Sequence, residues 1–230
     1  GSGTGLDDSG TGTLGISRCS DGADSDQNNV DFLLRNITPG TTNDCPSVVN
    51  DDPNALKINE VDYDQPGNDT AEFIEIKNVS ASAANLDNFS IALVNGVGPA
   101  VYTTIDLPNF SLASGDYYVI CVDAANVPNC DLDTPATQDM IQNGAPDAVA
   151  IVLNSAVVET VSYEGSTGAP YTEGSGSSAE DSNDTGGIGI GRCPDGADTN
   201  NNNADFLLRN ITPGVANDCP LPPGRQPRQG

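Results

Sequence analysis

Short runs in which apolar and polar residues alternate are the dominant pattern along this chain. In EFIEIKNV, residues 72–79, Phe73, Glu75 and Lys77 fall on one face and Ile74 and Ile76 on the other. That period of two is what an extended strand requires, so a strand is predicted with its isoleucines turned inward. Comparable runs predict strands over 55–63 (ALKINEVDY), 89–94, 101–107, 117–123, 148–153 and 157–163, each bounded by Gly, Pro, Asn or Asp. Asn154 and Ser155 suit a two-residue hairpin turn between the last two. Residues 64–70 (DQPGNDT) read as a turn bent by Pro66 and Gly67. Two more strands, 188–192 and 206–209, flank an Asn-rich loop. So many short strands at this spacing predict an all-β protein, a β-sandwich.

The final segment of that pattern occurs twice. Residues 16–46 (ISRCSDGADSDQNNVDFLLRNITPGTTNDCP) and 190–220 (IGRCPDGADTNNNNADFLLRNITPGVANDCP) agree at about three positions in four. The offset from Cys19 to Cys193 equals that from Cys45 to Cys219, 174 residues, so the two copies share one internal spacing. Residues 1–46 therefore read as the back end of a preceding repeat or an arm docking on a neighbouring subunit. Residues 47–54 read as a linker, 55–219 as one complete domain, and 220–230 as a Pro/Gly-rich tail.

Composition narrows the partners. A net charge of -25 with only 8 basic residues and no His excludes direct nucleic-acid binding, which needs clustered Lys and Arg. No apolar stretch is long enough to span a membrane as a helix. Six cysteines with no CxxC pair point to disulfides in an oxidising compartment, hence an extracellular or cell-surface protein. The repeat makes Cys19–Cys45 and Cys193–Cys219 the economical pairs, with Cys121 and Cys130 left for each other; other connectivities of six cysteines stay open.

The order of motifs is more specific than any one of them. INEVDYDQPGNDTAEFIEIKN, ANLDNFSIALVNG, LASGDYYVI, DAVAIVLNSAVVETVSY and the RCPDGADTNNNNADF…TPGVAN ending together resemble the bacterial form of the lamin tail domain. The resemblance covers most of residues 55–217. It implies an immunoglobulin-like β-sandwich that serves as an accessory module in secreted or surface proteins, often beside nucleases, phosphatases or adhesive repeats. The candidate disulfides and a long Gly/Ser/Asp loop at 164–187 depart from that pattern.

Acidic loops are the candidate sites. Asp195, Asp198, Asn200, Asn202 and Asp205, with Asp21, Asp24, Asp26, Asn28 and Asp31 as counterparts, supply oxygen ligands of the kind calcium takes, although the bidentate Glu of an EF-hand is missing. The same residues also cap loops by bonding nearby backbone amides. Asp62, Asp64, Asp69 and Glu72, around the first turn with Asn68, form a second possible calcium site. Glu60, between apolar neighbours, reads as a buried carboxylate bonded to backbone amides of the following strand. Without His, only carboxylates remain for acid–base chemistry, and a chain with no Trp offers little aromatic surface to a sugar. A noncatalytic structural repeat of a bacterial surface protein or filament is therefore expected. Its partners would be other copies or adjacent repeats, and Phe32, Leu33, Leu34 and Ile37 would seek a neighbouring sheet. A targeting module of a secreted enzyme and, behind it, a carboxylate hydrolase are the alternatives.

Overall fold

A computed structural model describes residues 3–7, 12–19, 22, 24–43, 52–182 and 186–220. Asp21, Cys45, most of the linker stretch and the tail beyond residue 220 lie outside them. The chain divides into two compact units, Gly1–Asn50 and Asp51–Gly230.

Among its described residues the first unit is a single hairpin. Strands β1 (Leu14–Arg18) and β2 (Phe32–Asn36) pair antiparallel from Leu14↔Asn36 to Arg18↔Phe32, and the helical turn α1 (Asn28–Asp31) leads into β2. Arg18 lies 4.5 Å over the Phe32 ring, a cation–π contact. This unit buries little: Ile16 is 42% and Ile37 52% exposed.

In the second unit the alternating runs form β3 (Leu56–Asp62), β4 (Phe73–Asn78), β6 (Phe89–Asn95), β7 (Ala100–Asp106), β9 (Tyr117–Cys121), β11 (Asp147–Leu153) and β12 (Ala156–Tyr163). To these are added the short β5 (Ala84–Asn85), β8 (Ser111–Leu112) and β10 (Leu132–Asp133), then β13 (Ile188–Arg192), α2 (Asn202–Asp205) and β14 (Phe206–Asn210). One sheet runs β10-β9-β4-β3-β13-β14 and the facing sheet β12-β11-β6-β7, with β5-β8 as a separate pair. Asn154 and Ser155, at φ 49° and 71°, make the β11–β12 turn in the left-handed region that primed hairpin turns need.

Ile58, Val61, Ile74, Ile76 and Ile120 of the first sheet meet Ile91, Leu93, Val149, Ile151 and Val161 of the second in one core. The isoleucine face of β4 thus points inward, as its alternation predicts. Its other face is not left to water: Phe73 packs with Val119, Cys121 and Val127, and Glu75 is fully buried. A register shift between Ile58 and Glu60 turns the adjacent Asn59 and Glu60 side chains both toward the C-terminal segment. Residues 164–182 of the long Gly/Ser/Asp loop are folded onto the sandwich, with Thr167, Ser177 and Asp181 buried.

Candidate functional site

β13 pairs with β3 over only two positions, Ile190↔Val61 and Gly191↔Glu60. Side chains therefore carry most of the attachment of the closing segment, residues 188–219, which the Cys193–Cys219 disulfide ties into a loop. Its centre is Arg192, at 0% exposure. Arg192 Nε donates to the Ile58 carbonyl (3.0 Å), Nη1 to the Ala197 carbonyl (3.0 Å), Asp198 (3.2 Å) and Asp205 (3.2 Å), and Nη2 to Glu159 (2.5 Å). The guanidinium also lies 4.6 Å over the Phe206 ring. Lys57 Nζ completes the cluster at 2.8 Å from Glu159 and 2.6 Å from Asp198. Glu159 belongs to β12 of the facing sheet, so the ions join the two sheets through the closing segment. Burial pushes the Glu159 carboxyl up to about 8, with Arg192 and Lys57 pulling it back. Burial also opposes the charge on Lys57, which Glu159 and Asp198 nevertheless raise above the usual lysine value.

A second set lies along the same seat. Asp195 accepts from Lys77 Nζ, Tyr117 Oη (2.9 Å), Asn59 Nδ2 (3.0 Å) and the Asn217 amide (3.0 Å). Burial pushes its carboxyl up, but Lys77 and these donors hold it below the usual range. Asn217 Nδ2 donates to the Asn59 and Arg192 carbonyls (both 2.9 Å). Glu60 accepts from the Thr212 amide (2.8 Å) and Glu75 from the Gly214 amide (2.6 Å), so the TPG turn is held by two buried carboxyls, at about 7 and about 8 through burial. The partner of Glu60 is thus 152 residues away, not the following strand; the bulge at Asn59 aims it across the sheet edge.

Nearby, Asp62 and Asp181 are each 1% exposed, and the Asp62 charge adds to burial in disfavouring the charge on Asp181. Burial raises both carboxyls, to about 7 and about 8. Asp62 also accepts from Gln65 Nε2 (2.7 Å), and Asp181 from the Tyr63 (3.0 Å) and Asp64 (3.3 Å) amides. Asp69 accepts from the Gln65 amide (2.8 Å) and Asn143 (2.9 Å), and Glu72 from the Met140 (2.5 Å) and Ile141 (2.9 Å) amides. Asp62, Asp69 and Glu72 thus each have donors of their own.

The acidic closing loop does converge, but on protein cations. Asp198 meets Lys57 and Arg192; Asp205 also takes Thr199 Oγ1 (2.7 Å). Asn200 bonds Asp198 through its amide, and Asn202, fully buried, bridges Ser162, Glu173 and the Thr160 carbonyl. Glu159, Glu173 and Asp198 offer oxygens within 4.8 Å of one another, the spacing of a metal-binding set, and Lys57 already contacts two of the three. In the first unit Asp24 and Asp31 engage Arg18 (3.1 and 3.3 Å), Asp31 accepts from Ser25, the Asp26 amide donates to the Asp24 carboxylate, and Asn28 opens α1. Cys121–Cys130 and Cys193–Cys219 are bonded, and Cys19 is also disulfide-bonded. The sequence reading did not single out Lys57, Glu159, Glu75 or Arg192. The retained Arg-Cys pair, 18–19 and 192–193, in a chain with so few basic residues was the available signal.

Two facing sheets closed by a buried ionic clasp define an immunoglobulin-like β-sandwich module. The lamin tail domain family model matches residues 50–165, half of the chain, and the chain belongs to that family. The match ends at the start of the long loop and leaves out the closing segment. None of the curated proteins matches. Among the described residues no helix is long and apolar enough to cross a membrane, and the disulfides fit an oxidising, secreted setting.

Proposed function

We propose that this is a noncatalytic structural module of an extracellular or cell-surface bacterial protein, in which lamin-tail sandwiches act in series and join by strand addition. One observation carries the reading: the first unit is a preformed hairpin that repeats the closing hairpin of the complete domain, down to an arginine stacked on a phenylalanine and bonded to two aspartates. A hairpin with its strands paired and its isoleucines exposed is a surface for another sheet. The buried carboxyls Asp62 and Asp181 are sealed from substrate, which weighs against hydrolysis there. Sedimentation velocity of the full chain and of a chain lacking residues 1–46, over a concentration series, tests the reading. Association in the full chain that disappears in the shortened one is expected; equal masses at every concentration would overturn it.

A further inference from the structure

We propose that the Lys57 side chain forms an amide bond with the Asp198 carboxyl inside the folded domain, Glu159 moving the protons, so that an isopeptide crosslink fastens the closing segment to β3. This is a property of the complete domain alone and does not depend on how domains join.

The groups that such a reaction needs stand together. Lys57 Nζ, the nucleophile, is 2.6 Å from Asp198 Oδ2 and 2.8 Å from Glu159 Oε2. Asp198 Oδ1, the oxygen that an amide would retain, accepts from Arg192 Nη1 (3.2 Å) and from the Asn200 amide (2.8 Å). Those two donors meet the charge that builds on Oδ1 when the amine adds to the carboxyl carbon, which is how an oxyanion is stabilised. Arg192 Nη2 holds the other oxygen of Glu159, so Oε2 stays turned to the lysine. The Glu159 and Asp198 oxygens lie within 4.8 Å of one another, and Nζ bonds to both residues. Glu159 can therefore take a proton from the nitrogen and return it to the departing oxygen.

Atoms and charges balance without a further reactant. The Lys57 ammonium gives up two protons and the Asp198 carboxylate gives up Oδ2. The N–C bond forms, the C–O bond breaks, and the oxygen leaves with both protons as water. Glu159 ends in the protonation state in which it began. Its carboxylate neighbours favour the ammonium form of Lys57, so the ion pair is the starting state and the bond forms once per chain, after the closing segment is seated. Two effects drive it forward. Neighbours fixed in contact react as if at a concentration far above any reached in solution. A neutral amide also replaces two charges whose side chains are 11% and 9% exposed, relieving their desolvation.

The place suits a crosslink. The Cys193–Cys219 disulfide closes the segment on itself, and β13 pairs with β3 over only two positions. A bond from Lys57 to Asp198, 141 positions apart, would tie the segment to the sheet and restrict the unfolded chain. Lys77 and Asp195 supply an internal comparison. They make an ion pair of the same two residue types on the same loop, but among the described residues Lys77 Nζ meets only Asp195 and Tyr117 Oη, with no second carboxylate to move a proton. That pair is also the more open, at 15% and 19% side-chain exposure, and should stay ionic.

The test is mass spectrometry of the full chain after incubation at neutral pH, reduced and unfolded, first intact and then digested. A mass one water below that of the sequence, and a branched peptide joining Lys57 to Asp198, are expected. Lys57→Arg should abolish both, and Glu159→Gln should slow their appearance by about a hundredfold or more. Asp198→Asn gives a second readout that does not require Glu159→Gln to fold: attack on the side-chain amide expels ammonia, so the same branched peptide appears with the loss of ammonia in place of water. Wild-type chain that keeps its full sequence mass would overturn the proposal. So would loss of water without the branched peptide, as from cyclisation at Asp195-Gly196, a branch at Lys77–Asp195 in its place, or linking unchanged in Glu159→Gln.

Discussion

Replacing Arg192 with Met keeps most of the side-chain volume and removes the charge. Arg192 donates to two carbonyls and three carboxylates from a fully buried position, so the substitution leaves Glu159, Asp198 and Asp205 with fewer partners in a site closed to water. Breaking a buried pair by removing one partner costs about 3–5 kcal/mol. The low end applies here, because Lys57 stays 2.8 Å from Glu159 and Thr199 stays on Asp205. A loss of about 3 kcal/mol is a large share of a domain stability of about 5–15 kcal/mol. With a urea slope of about 1–3 kcal/mol/M, the midpoint of the complete domain should fall by about 1–3 M at unchanged slope. Arg18→Met in the first unit, where the arginine side chain is 25% exposed, should cost no more than about 1 kcal/mol in dilute protein. The pair Arg192→Met with Glu159→Leu should recover part of the loss, since removing both charges relieves the desolvation of each. An Arg192→Met loss as small as that of an exposed pair would refute the reasoning that the clasp fastens the closing segment.

Stability should fall as pH rises. Burial holds the folded carboxyls of Glu60, Asp62, Glu72, Glu75 and Asp181 at about 7 to 8, above their ordinary 3.8 to 4.5. The folded state thus binds more protons than the unfolded one; the contribution is full below about pH 4 and lost as pH passes through 7 to 8. Thermal melts should show a higher midpoint at pH 5 than at pH 8.5, and Asp181→Asn, which removes one of the raised carboxyls, should flatten that slope; a midpoint that climbs with pH would contradict carboxyls that burial keeps protonated. Removing Cys193–Cys219, which spans 26 positions, should cost about 3–4 kcal/mol by loop entropy, and Cys121–Cys130, spanning 9, about 2–3, measured by urea unfolding of the paired Cys→Ala variants. Calcium against chelator should leave the melting midpoint of the complete domain nearly unchanged, because Lys57, Lys77 and Arg192 already neutralise Asp195, Asp198 and Asp205; a saturable rise with calcium would show a metal displacing the lysines.

The sandwich was legible in the sequence because its determinants are local. Alternation over five to seven residues and a turn at each end are enough to place a strand, and Asn154-Ser155 needed only its neighbours to be read as a hairpin turn. The clasp was not legible, because each of its bonds joins residues far apart in sequence: Lys57 to Glu159 across 102 positions, Arg192 to Ile58 across 134, Glu60 to Thr212 across 152. An Asp/Asn loop read alone suggests a cation, and that chemistry was right about the charge it needs; the sequence did not show that β3 and β4 deliver lysines to it. The bulge at Asn59 was equally hidden, since one extra residue leaves the run LKINEVD looking like a regular strand while turning Asn59 and Glu60 to the same side.

The repeat is the one local feature that does carry long-range information. Two copies of a loop free to vary would be expected to drift at all positions alike. Here the arginine, aspartates, threonine, glycine and asparagine that meet the sandwich in the complete domain are identical, as is the whole run FLLRNITPG, and the differences fall at Ser17, Ser20, Ser25, Asp26, Gln27, Val30, Thr41 and Thr42. Thr38 and Gly40 have counterparts whose amides donate to Glu60 and Glu75 of the sheet, and Gly40 also carries the left-handed turn of its own hairpin at φ 78°. The agreement between the copies therefore carries into the first unit the residues that, in the complete domain, fasten the closing segment to the sandwich.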